Sequence, residues 1–364
     1  RSASAIVSMI ASSILIWMTL RSHVHLSSTY HRLLLGMCIA DLLYSLSQAQ
    51  FNLTSPSDTG YYVWNARGNQ ASCSAQGFIQ VVGARSVLLY SCSLNLFCLA
   101  AVKYNKSDTY IRTKIEPFLH GVPIVLALIV GIILIASQNL NEREGLCYAP
   151  VYDPPHCIGY EDGQIREGFE IPCGRGRDGA TGFWYIVFFL TTFAVPIIII
   201  ISLGMIYRGV LQQEQKISRY GAGALNHNST QQTSIISDDG RLNSSWTGRL
   251  KIRFRGKRST KSNQKGHSQS RSVLNRALAY SIAYFLTWSF PIIRISFSFA
   301  GLEWPMSIQY LNAIFNPLQG FFNFLIFMHP KVMSAKRSKR ENLTWCQAFA
   351  KAFWSRGNGG KKKT

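Results

Sequence analysis

The chain has 364 residues and a formal charge of +21, with 47% apolar and only 15% charged residues. A soluble chain carries about 25% charged residues, so the composition excludes an ordinary soluble domain. The excess of Lys and Arg gathers in particular loops, which excludes nucleic-acid binding as its explanation, and no nucleic-acid partner is expected.

Seven apolar stretches, at 3–20, 30–49, 74–102, 118–137, 181–207, 273–300 and 305–328, are each long enough to cross a hydrocarbon core of about 30 Å. Lys and Arg dominate the loops after the first, third, fifth and seventh stretches, while Asp and Glu outnumber them in the others. By the positive-inside rule the N-terminus lies outside and the tail in the cytoplasm, and the expected location is the plasma membrane. Arg1 is not a methionine, and an extracellular start is expected to precede it.

The first stretch is Ser-rich, with Trp17 its only large aromatic side chain. The second places Asp41 about 16 Å deep at 1.5 Å per residue. A carboxylate there costs about 2.5–3.5 kcal/mol, so it must face the bundle interior and find a partner. The following loop contains the sequon Asn52-Leu53-Thr54, close to the membrane. Arg85 in the third stretch lies at a depth similar to that of Asp41. An ion pair between them and a ligand or ion role are both open. Pro117 suits the first turn of the fourth helix.

The outer loop 139–182 is long, rich in Gly and Pro, and shows no helical or strand period. Of eight Cys, Cys38, Cys92 and Cys98 lie inside apolar stretches, whereas Cys73, Cys147, Cys157 and Cys173 fall on the outer side. An even number in an oxidising compartment reads as two disulfides, with Cys73 paired to Cys147, Cys157 or Cys173. The irregular spacing around His156 argues against a zinc site, and no metal is expected.

Pro196 opens the Ile-rich part of the fifth stretch. The segment 212–271 then turns polar and basic, and its composition predicts a disordered cytoplasmic loop. Its run 249–258 alternates basic and apolar residues, a pattern that attracts anionic lipids. Trp288 and Pro291 mark the sixth stretch, with Arg294 about two turns beyond Trp288 toward the outer side. The seventh carries Asn316-Pro317 at its centre. Proline there frees a backbone carbonyl that needs a partner on a neighbouring helix. After it, Trp345, Phe349 and Phe353 recur every four residues, an interfacial amphipathic helix with Cys346 as a palmitoylation position.

The reading is an all-α membrane protein: a seven-transmembrane helix bundle over 1–329, then a cytoplasmic tail over 330–364 with its interfacial helix. HExxH, GxSxG and P-loop motifs are all missing, so no enzyme and no cofactor are expected. The seventh stretch has no Lys for a retinal Schiff base. Arg85 and Arg294 suggest an anionic ligand on the outer side. A transporter or channel without coupling is the rival reading.

Several of these residues together resemble the rhodopsin-like G-protein-coupled receptors. The carriers are Leu35 with Ala40-Asp41-Leu42, Cys73 at the top of the third stretch, Trp288 with Pro291, and Asn316-Pro317. In more detail, TYHRLLLGMCIADLL, GNQASCSAQGF, IEPFLHGVPI and NPLQGFFNFLIFMHPK resemble the protist receptors abundant in diatoms and similar to slime-mould cyclic-AMP receptors. The resemblance implies a heterotrimeric G protein as partner, membrane lipids around the bundle and an extracellular ligand in a pocket near Gln80, Arg85, Trp288 and Arg294. It implies a polar switch of Asp41, Asn316, Pro317 and Pro291, with Trp288 as pivot and Cys73 anchoring the outer loop. The acidic-Arg-Tyr triplet that usually ends the third helix is replaced by Lys103-Tyr104-Asn105, leaving Lys103 and Tyr104 at the coupling position.

Overall fold

The computed structural model describes residues 1–22, 25–50, 52–57, 63–143, 145–148, 186–233, 257–300, 302, 305–337 and 343–354. The helices are α1 (Ser2–Arg21), α2 (Thr29–Ala49), α3 (Gln70–Val102), α4 (Glu116–Ala136), α5 (Val195–Thr233), α6 (Lys257–Phe299), α7 (Met306–Phe315), α8 (Gln319–Lys336) and α9 (Trp345–Trp354). A π-helical turn, Leu190–Ala194, leads into α5, and the 3-10 turn Asn316–Leu318 joins α7 to α8. Five of the helical segments are long and apolar enough to cross a membrane: Ser2–Arg21, Gln70–Val102, Asp108–Ala136, Ile186–Gln215 and Met306–Lys336. In α2 the apolar run is diluted by Asp41 and by the Ser and Gln of its last turns.

Burial ranks the helices. In α3, 78% of the most apolar window is buried, against 22% for Ile186–Gln215. The third helix therefore runs through the middle of the bundle, while the α4 and α5 segments turn Ile124, Val125, Ile132, Ile197 and Ile200 outward. Such exposed rows of branched apolar side chains suit contact with lipid, not water. Gly83 lets α3 approach α2 closely, since a Cβ there would lie 2.6 Å from the Tyr44 backbone nitrogen. The main core joins Leu15, Leu33, Met37, Leu88, Tyr284, Trp288 and Met328 from five helices.

Capping and a crosslink fix the start of α3. The Asn69 side chain accepts from the Ser72 amide at 2.8 Å, and the Asn69 amide donates to Ser72 Oγ at 2.9 Å. One turn in, Cys73 is bonded to Cys147. Cys147 lies on β2 (Leu146–Tyr148), which pairs antiparallel with β1 (Asn141–Arg143) through a turn where Gly145 has φ +78°. The sequence showed no strand period here because three-residue strands are too short to display alternation. Cys157, Cys173 and His156 lie outside the described residues.

Two further segments carry helix. Helical backbone continues along α5 to Thr233 and begins in α6 at Lys257, so both ends of the segment 212–271 are helical. Their polar composition removes a buried face without forbidding helix. In α9 the bundle receives Ala348 and Ala352, both buried, whereas Trp345 and Trp354 are largely exposed and Phe349 partly so. Phe353 still packs inward, its ring 5.8 Å from that of Trp17.

Candidate functional site

The polar centre of the bundle is assembled from α1, α2, α6 and the α7–α8 break. Asp41 is fully buried. Its Oδ2 accepts from Ser12 Oγ at 2.6 Å and Ser8 Oγ at 3.2 Å, while Ser45 Oγ stands at 3.5 Å. Ser8 Oγ in turn accepts from the Gly320 amide at 2.9 Å. The ion pair with Arg85 left open by the sequence is not made: hydroxyls of α1 partner the carboxylate instead. Arg85 points the other way, donating to Thr191 Oγ1 at 2.9 Å in the π-helical turn and lying 4.3 Å over the Phe188 ring.

Proline explains the rest of the network. Pro123 in α4 frees the carbonyl of Leu119, and Ser93 of α3 donates to it at 3.0 Å. Pro291 in α6 likewise frees the carbonyl of Thr287, and Asn316 Nδ2 donates to that oxygen at 3.3 Å. The carbonyl that Pro291 frees in α6 is thus satisfied by the residue that opens the α7–α8 break. Asn316 Oδ1 accepts from Tyr44 of α2, and Thr287 Oγ1 donates to Gln319, whose Nε2 donates to Asn323 Oδ1 at 3.3 Å. Trp288 is stacked between Tyr44 and Tyr284, with centroid distances of 6.3 and 6.5 Å. Among the described residues, Asp41 Oδ1, Asn323 Nδ2 and Trp288 Nε1 are buried without a hydrogen-bond partner. Buried unpaired groups of this kind mark a place where water or an ion is needed.

Toward the Cys73 end, Arg294 approaches the hairpin, its guanidinium 3.2 Å from the Tyr148 hydroxyl and 5.9 Å over the ring. Gln80 Oε1 is buried and has no hydrogen-bond partner among the described residues. Arg85 and Arg294 therefore attach to different neighbours, and Trp288 belongs to the polar centre.

At the opposite end, Lys103 and Tyr104 are exposed after the last turn of α3. Nearby, Arg32 of α2 forms a two-pronged pair with Glu116 of α4: its Nε meets Oε1, and Nη2 donates to Oε2 at 2.6 Å. Thr29 Oγ1 adds a bond to Oε2 at 2.8 Å. The Tyr30 and Tyr280 hydroxyls meet at 2.7 Å, tying α2 to α6 at this end. Cys346 on α9 is a free, exposed thiol.

The chain has a rhodopsin-like fold. It superposes on squid rhodopsin with a TM-score of 0.60 and 14% identity, covering 97% of this chain and 83% of the other. No protein-family model matches the sequence, and no curated protein matches it. Its apolar helices and this fold together describe a multi-pass membrane protein. Within the rhodopsin-like fold, sequence reasoning found Asp41, Trp288, Pro291, Asn316 and Pro317 but missed Ser8, Ser12, Arg32, Glu116 and the tyrosine pair. The available signal was the serine spacing of four residues in α1, which puts both hydroxyls on one face.

Proposed function

We propose that this chain is a G-protein-coupled receptor that relays an extracellular ligand to a heterotrimeric G protein through rearrangement of α6 and the α7–α8 segment. In this reading the bundle has seven membrane crossings over 1–329. The Cys73 end faces outward at the plasma membrane, and the tail 330–364 carries α9 along the inner leaflet, with Cys346 available for palmitoylation. No enzymatic step is involved. Lys103 and Tyr104 would meet the G protein, and Gln80, Arg85, Trp288 and Arg294 would surround an anionic ligand.

The observation that carries the reading is the bond from Asn316 Nδ2 to the Thr287 carbonyl freed by Pro291. It joins two proline-weakened helix positions into one element with two arrangements, bonded and released, and a ligand that prefers one arrangement shifts the population. Trp288 is the next residue and packs on Tyr44, so a ligand pressing on Trp288 acts directly on this joint.

The test is ligand-stimulated nucleotide exchange on a co-expressed G protein, with flux into liposomes measured in parallel. Exchange without flux supports the receptor. Flux without exchange supports the transporter or channel, for which buried Asp41 would be the cation-attracting group. Asp41→Ala is expected to change basal or ligand-driven exchange more than surface expression; an equal loss of both would reduce Asp41 to a structural role.

A further inference from the structure

A cavity of about 450 Å³ opens where the last turn of α1, the end of α8 after Pro330 and the last turn of α9 meet Arg276 of α6. Its walls carry four cations from four helices, Arg21, Arg276, Lys331 and Lys351, with Trp17 and Phe353 as aromatic surface and, among the described residues, no Asp or Glu. Among the described residues, Arg21, Arg276 and Lys331 have no carboxylate within salt-bridge distance. They rest on rings instead, 4.9 Å over Trp17, 5.4 Å over Tyr30 and 4.0 Å over Phe327 respectively. Gathering Arg21, Arg276 and Lys331 around one hollow is unfavourable until an anion enters it. The volume falls within the range of small-ligand sites, about 300–1,000 Å³.

We infer that this cavity binds a polyphosphorylated anion, supplied by the headgroup of an inner-leaflet phosphoinositide. Phosphate suits the donor set, since a guanidinium engages it through paired N–H groups and an ammonium as a point charge. The lipid source is favoured by the surroundings. Two membrane-length segments, Ser2–Arg21 and Met306–Lys336, end at this cavity, and Trp354 on its wall is 64% exposed. Because Arg276 sits on α6 and the other three cations do not, an occupied site holds α6 against α1, α8 and α9. Resting here on the receptor reading, outward movement of α6 at this end withdraws Arg276, so the anion favours the closed packing and the open packing weakens anion binding by the same factor.

The binding test uses the whole purified chain in nanodiscs, with native mass spectrometry counting retained lipid. With phosphatidylinositol bisphosphate and phosphatidylserine supplied together, one bisphosphate lipid per chain is expected in preference to phosphatidylserine. Arg276→Gln and Lys331→Gln should each weaken retention about fivefold, whereas Arg276→Lys should retain most of it. Lys106→Gln, which removes a cation at the same end but outside the cavity, should leave it unchanged. An unaltered melting temperature shows that each variant is folded. Competition with soluble inositol trisphosphate separates the sources: failure to displace the lipid supports the headgroup in its membrane, and full displacement supports the phosphate site with a free polyphosphate as occupant. Equal retention of the two lipids, or equal weakening by Lys106→Gln and Arg276→Gln, overturns the site. No G protein enters the assay, so this failure is distinct from failure of the receptor reading.

Discussion

The Asp41 carboxylate loads its bonds onto one oxygen, with Ser12 at 2.6 Å and Ser8 at 3.2 Å on Oδ2 and, among the described residues, nothing on Oδ1. The crowding extends to the next helix, because a Cβ built on Gly320 would overlap Asp41 Oδ2 and Ser12 Oγ. Gly320 is therefore required by close approach, not by backbone conformation. Gly320→Ala should displace the carboxylate and destabilise the bundle by about 1–3 kcal/mol, the usual cost of overpacking. A fall in melting temperature of the purified protein checks this, and an unchanged value would mean that α8 can shift away without cost. At this scale the sequence was informative about groups that are expensive in a membrane, Asp41 and Arg85, because each demands an explanation. It was silent about their partners. A serine in an apolar helix is cheap and common, so the four-residue spacing of Ser8 and Ser12 shows a shared face but not what that face meets.

Proline positions were legible as helix weaknesses, but not the groups that repair them. Pro123 and Pro291 each release one carbonyl, and the repairs come from Ser93 and Asn316 on other helices. Only the packing of α3 on α4, and of α6 on α7, brings these donors within reach. The same limit applies to the end of the bundle that lacks the acidic-Arg-Tyr triplet. There α6 is tied to α2 by the Tyr30–Tyr280 hydroxyl pair, two residues with no distinguishing sequence context. If α6 must swing for coupling, this bond opposes it. One hydrogen bond contributes about 0.5–1.5 kcal/mol, so Tyr280→Phe should raise the basal open population, and with it ligand-independent nucleotide exchange, by about twofold to tenfold. Tyr30→Phe should do the same, and the double variant should add little, since both remove one bond. Additive effects would show that each tyrosine acts through separate contacts.

For the whole molecule, the charge asymmetry between loops and the apolar stretches established a two-sided object before any helix was placed. The helices then explain why the apolar count is so high: α4 and α5 place branched side chains on their outer faces, in addition to the apolar core inside. That arrangement is stable only if hydrocarbon surrounds the outer faces, because water would leave those rows exposed at about 25 cal/mol for each Å². It also fixes how orientation must follow. The cationic cavity, the Arg32–Glu116 pair and exposed Lys103 all lie at one end, and the Cys73–Cys147 disulfide at the other. A disulfide persists in an oxidising compartment, and clustered Lys and Arg stay on the cytoplasmic side. Both features agree with the orientation proposed above, the Cys73 end outside. An epitope tag before Arg1 should be reached by antibody on intact cells, while a tag after Thr364 should be reached only after permeabilisation. Finding both tags on one side would require an even number of crossings, which would break the receptor reading.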